Sequence, residues 1–153
     1  QLNFKRGFTL IELLVVIAII GVLSAVVLAS LNIARTKGND ASIQSNLSTI
    51  QTQAEIYYGE TTGGKLANTY GSAAVTCTTA GSMFDADVSI KRAIAALEVT
   101  NGASNASCFS SATGYAISSP LSSDSAKHWC VDNNGAVGVR ATAATAATGC
   151  PAN

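Results

Sequence analysis

Several things are missing from this 153-residue chain, and each absence excludes a class of function. The four cysteines, Cys77, Cys108, Cys130 and Cys150, form no Cys-x-x-Cys pair, and His128 is the single histidine. A tetrahedral zinc site needs closely spaced Cys and His ligands, so no metal site is expected. There is no phosphate-cradling loop, because the glycines fall at turns rather than ahead of a Lys-Ser or Lys-Thr pair. Net charge is also missing. Nine Lys or Arg balance nine Asp or Glu, so no direct nucleic-acid-binding surface is expected. His128 sits beside Trp129 in a strand-like run and reads as a surface or half-buried strand residue. No catalytic residue is assigned, and no enzyme is expected. Beyond residue 60 the chain is poor in large apolar residues and rich in Ala, Ser, Thr and Gly. Such a segment builds a small core, and small cores usually need a covalent staple.

What is present is concentrated at the N-terminus. From Leu13 to Ala34 no residue is charged, and Glu12 is the only charge between Arg6 and Arg35. A helix over these positions is about 33 Å long, the thickness of a bilayer's hydrocarbon core. Lys5 and Arg6 precede it, so the positive-inside rule places the N-terminus in the cytoplasm and the rest outside. In an extracytoplasmic setting four cysteines read as two disulfides. A secretory signal peptide fits poorly, because the apolar run is too long and no early Ala-x-Ala closes it. A plain anchor fits the length but leaves Glu12 unexplained, since a carboxylate in an apolar setting needs a positive partner or a donor.

Lys5-Arg6-Gly7-Phe8-Thr9-Leu10-Ile11-Glu12, with the apolar run to Gly21, resembles the class III signal of type IV pilins and pseudopilins. The resemblance implies a prepilin peptidase that cuts between Gly7 and Phe8 and then N-methylates Phe8. Loss of Lys5 and Arg6 leaves seven basic and nine acidic side chains, a side-chain charge of −2. It also implies that Glu12, with Phe8 and Thr9, sets assembly register: the Glu12 carboxylate meets the new Phe8 amine of a neighbouring subunit. Many family members carry a proline at the position of Ala29. Its absence here weighs against local melting of residues 21–30.

Farther along, Ile43, Leu47, Ile50, Ala54 and Tyr57 make one apolar stripe at helical spacing. The reading is a single helix from Phe8 to about Tyr58, stopped by Gly59 and Thr61-Thr62-Gly63-Gly64. Gly38 is a weak point in it, and Asn39 and Asp40 are possible local caps. Residues 61–86 read as loop, with Met83 and Phe84 as core anchors. A shorter helix over 87–99 follows, capped by Asp85 or Asp87 and ended by Asn101-Gly102. Three or four strands come next: 106–110, 115–119 (stopped by Pro120), 127–132 and 136–140. Asn133-Asn134-Gly135 is a hairpin signal. Residues 141–148 are an Ala-Thr tract. Of three possible cysteine pairings, the favoured one is Cys77 with Cys108 and Cys130 with Cys150, the second tying the tail to the sheet.

The expected fold is α+β, a long N-terminal helix against a small antiparallel sheet, as in type IV pilins. Its parts are a leader (1–7), a transmembrane and assembly segment (8–34), the amphipathic half of the same helix (35–60), an αβ-loop (61–105), and the sheet with its tail (106–153). The implied function is that of a filament subunit that waits in the membrane and then enters a helical homo-oligomer on the cell surface. Its partners would be the prepilin peptidase and an inner-membrane assembly platform. Two alternatives remain, a type II secretion pseudopilin and a membrane-anchored binding domain that never polymerises. No cofactor is expected, although the pseudopilin reading would bring calcium, for which Asp124, Asp132, Asn133 and Asn134 are the candidate ligands.

Overall fold

The computed structural model describes residues 7–60, 68–101 and 105–152. Lys5, Arg6, the expected stop at Thr61–Gly64 and the expected break at Gly102 lie outside the described residues. The elements run α1 (Leu10–Gly59), α2 (Met83–Ala86), α3 (Val88–Asn101), β1 (Ser107–Ser110), β2 (Tyr115–Pro120), β3 (His128–Asp132) and β4 (Val137–Arg140). The chain divides after Thr36 into two compact units.

The first unit holds the apolar part of α1. Every large apolar side chain from Phe8 to Ile33 is exposed, and even Val15 and Val16, the most covered, remain 50% so. A helix apolar all round needs a surrounding that is not water. Among the described residues this is the one helix long and apolar enough to cross a membrane. Residues 21–30 are helical throughout, as the absence of proline suggests.

The second unit begins at Lys37. Here α1 becomes amphipathic and buries Ile43, Leu47, Ile50, Ala54 and Tyr57 in one core with Met83, Phe84, Ile90, Ile94, Leu97, Ile117 and Val131. Gly38 does not interrupt the helix. Asn39 and Asp40 lie inside it and cap nothing there. The Asp40 carboxylate instead accepts the Ser122 and Ser123 N–H groups at 2.6 and 3.2 Å, tying α1 to the β2–β3 loop. A helix-interior residue has its N–H taken by the preceding turn, so its side chain is available for such tertiary work.

Between α1 and the sheet the expected loop contains one short helix, α2, whose Met83 and Phe84 are fully buried. Asp87 caps α3, accepting the Ser89 and Ile90 N–H groups at 2.8 Å. Asp85 pairs with Lys91 at 2.7 Å instead. The four strands form an antiparallel meander in the order β1-β2-β3-β4. Pro120 is the last residue of β2, opposite His128, where a missing N–H costs least. The β3–β4 turn uses Gly135 at φ 83°, a conformation suited to glycine.

The Ala-Thr tract is not a loose tail. Ala144 is 3% exposed and packs with Ala116 and Cys130. Its N–H donates to the buried Ser118 hydroxyl at 2.8 Å. β2 is consequently buried on both faces, by α1 on one and by the tail on the other. Alanine suits this position because a strap needs close approach, which larger side chains would prevent.

Candidate functional site

The residues singled out at the N-terminus lie where the chain enters α1. Gly7, Phe8 and Thr9 are outside regular structure, and Phe8 is 91% exposed. Nothing lies within 4 Å of the place a Gly7 side chain would occupy. Gly7 and Phe8, on either side of the expected cleavage point, are both exposed.

Two residues later the helix starts with a reciprocal cap. The Thr9 N–H and hydroxyl both donate to Glu12 Oε2, at 2.9 and 2.7 Å, and the Glu12 N–H donates back to Thr9 Oγ1 at 3.3 Å. This is the capping box Thr-x-x-Glu, which satisfies N–H groups that a helix start otherwise leaves orphaned. The pattern is legible in Thr9-Leu10-Ile11-Glu12, so these two residues, expected to set register, also cap the helix. The carboxylate also favours the positive end of the helix dipole. Among the described residues Glu12 Oε1 has no hydrogen-bond donor, and no hydrogen bond joins Phe8 to Glu12 within the chain.

The four cysteines lie in the second unit and form two disulfides, Cys77–Cys108 and Cys130–Cys150, with Cα separations of 4.9 and 5.9 Å. The first joins the segment before α2 to edge strand β1, beside the backbone pair Ala74–Ser110. The second anchors the tail strap to β3.

The candidate calcium ligands do not come together. Asp124 lies in the loop before β3 and Asp132 is the last residue of that strand, so the strand, about 13 Å long from His128 to Asp132, runs between them. Asp124 accepts the Ala126 N–H and pairs with Lys127 at 3.3 Å. Asp132, 3% exposed, has both oxygens occupied. Oδ1 accepts the Asn134 and Ala136 N–H groups at 2.9 Å, and Oδ2 accepts the Cys150 N–H at 2.7 Å. Asp132 organises the β3–β4 turn and the tail. Gly149, at φ 138°, makes the approach possible, since a side chain there would lie 2.9 Å from Oδ2. His128 is half-buried at the start of β3, opposite Arg140.

Residues 2–28 match the family described as the prokaryotic N-terminal methylation motif. The type IV wide pilus major component PilA4 of Thermus thermophilus is 46% identical over 52 residues, which cover 34% of this chain and 40% of that protein. The matched stretch thus spans well under half the length of this relative. No solved structure matches the chain.

Proposed function

We propose that this chain, whose N-terminus matches the methylation motif and is similar over 52 residues to a type IV pilus component, is a structural subunit of a surface filament. The observation that carries the reading is the entrance to α1. An exposed Gly7–Phe8 bond precedes a capped helix start, with Glu12 at the head of an uncharged helix that is exposed on every side. Before assembly the span 13–34 sits in the membrane with the N-terminus in the cytoplasm. A prepilin peptidase cuts after Gly7 and N-methylates Phe8. The processed subunit then passes through an assembly platform into a filament whose core is a bundle of these helices, neighbouring helices taking the place of lipid.

The chemistry of Glu12 supports this sequence of events. Cleavage creates a positive amine at Phe8, and Glu12 Oε1 is the oxygen that the cap leaves open. Pairing that amine with the Glu12 carboxylate of an adjacent subunit neutralises two charges in an apolar bundle, where either alone would be costly. One such contact is heterologous, and repeated with a rotation that does not close it yields a fibre.

The test is micrographs of cells expressing the chain, with mass spectrometry of the fibre's N-terminus. Fibres whose subunits begin at N-methylated Phe8 are expected. Glu12→Val should still be processed but should form few fibres. Normal fibre numbers in that variant, or an N-terminus that is never cut, would overturn the proposal.

A further inference from the structure

The second unit carries two surfaces that no intramolecular contact uses, and their chemistries are complementary. The first is the outer face of α3. Val88, Arg92, Ala95 and Val99 follow at spacings of four, three and four residues, one stripe of a helix. All are exposed, and Val99 is 87% so. Arg92 has no ion-pair partner among the described residues, whereas its neighbour Lys91 is held by Asp85. An exposed valine pair flanking an unpaired arginine gains nothing for the isolated chain.

The second surface is a groove of about 450 Å³ between the C-terminal half of α1 and the β3–β4 turn. Thr52, Glu55 and Ile56 form its helical wall, and Asp132, Asn133 and Gly135 form the other. Ile56 is 54% exposed. Glu55 is exposed and accepts one bond, from the Tyr70 hydroxyl at 3.0 Å, and it makes no ion pair among the described residues. With both Asp132 oxygens committed to backbone N–H groups, Glu55 is the carboxylate in the groove that remains available to a cation.

We infer that the α3 stripe of one copy docks in the α1/β3–β4 groove of a second copy, with Arg92 reaching Glu55 and Val99 covering Ile56. The inference rests on the filament reading and adds to it the contact between the sheet-bearing units. The two surfaces differ, so the contact is heterologous, the kind that can extend without closing, as a fibre requires. Charge complementarity names the occupant. The groove is acidic with an apolar wall, and the stripe is apolar with a single cation. A contact that pairs charges and also covers apolar side chains selects orientation, adding to the register set in the helix bundle.

The test uses the full chain in cells that process and assemble it. Arg92→Glu and Glu55→Lys, each at an exposed position, should each lower fibre mass about tenfold, because like charges then meet at the contact. The double variant R92E/E55K should restore fibres to near the parent's level. Independently, fibres of Val99→Cys/Ile56→Cys should show a ladder of linked subunits on a non-reducing gel, and neither single variant should. A double charge variant no better than its parents, or fibres without a ladder, overturns the docking while leaving the helix-bundle filament standing. If the unaltered chain is processed and forms no fibres, the filament reading itself fails and the docking fails with it.

Discussion

Glu12 has two carboxylate oxygens and, within one chain, a use for only one of them. The capping role and the register role can therefore be separated experimentally. Thr9→Ala removes the reciprocal cap and costs the helix start about 1 kcal/mol, but leaves the carboxylate in place. Fibres should still form with Thr9→Ala and largely fail with Glu12→Val, as counted by electron microscopy. Equal loss in both would mean that capping alone explains the glutamate. Asp132 is the other residue whose work is local. Three N–H bonds converge on one buried carboxylate, and bonds to a charged acceptor contribute about 1.5–3 kcal/mol each, though not additively. Asp132→Ala should cost about 4 kcal/mol, read as a lower urea midpoint of the second unit. The tyrosines contribute a pH dependence. Burial, then the bond to Glu55, raises Tyr70 above its ordinary 10.0, and burial, then Glu55, raises Tyr115 above the same value. A raised pKa means that the fold favours the protonated form. Their contribution is intact below pH 10 and is lost as pH rises above it toward the folded values. Melting temperature should thus fall above about pH 10. Tyr115→Phe should reduce that fall without loss at neutral pH, because the Tyr115 hydroxyl has no bonding partner among the described residues.

At the scale of elements, the helix and strands follow from local pattern. The stripe from Ile43 to Tyr57 predicts the face that α1 buries, and alternation with Asn133-Asn134-Gly135 predicts the β3–β4 hairpin. The Ala-Thr tract has no such signal. Alanine and threonine carry no periodicity, so nothing in residues 141–148 by themselves distinguishes a strap from a loop. The strap exists because Ser118, Asp132 and Cys130 wait for it on the far face of the sheet. Its anchor closes a loop with a sequence separation of 20, worth about 3 kcal/mol by the chain-entropy account. Cys150→Ser should lose roughly that much and should expose the outer face of β2. A faster exchange of the Ala116 and Ser118 amides, measured by hydrogen exchange, would show it; unchanged exchange would mean that the hydrogen bonds alone hold the tail.

For the whole molecule, the division after Thr36 separates two kinds of stability. Among the described residues the first unit buries no large apolar side chain, and a helix apolar all round needs a surrounding other than water. The second has a core, two disulfides and a four-stranded sheet, and should melt cooperatively by itself. A fragment starting near Lys37 should therefore retain the melting behaviour of the second unit but form no fibres. Fibres from that fragment would show that assembly does not depend on the apolar helix.

The sequence alone determined the long helix, its uncharged half and the face its second half buries. These are local or periodic features, and each is written within a few residues of where it acts. Only the tertiary structure decided that Asp132 serves a turn and a tail. It also decided that Asp40 reaches the β2–β3 loop, that the Ala-Thr tract covers the sheet, and that Glu55 and Arg92 each remain available to another copy. Those outcomes depend on contacts between residues far apart in the chain. Which groups satisfy one another across such distances is set by packing, and a linear pattern does not contain it.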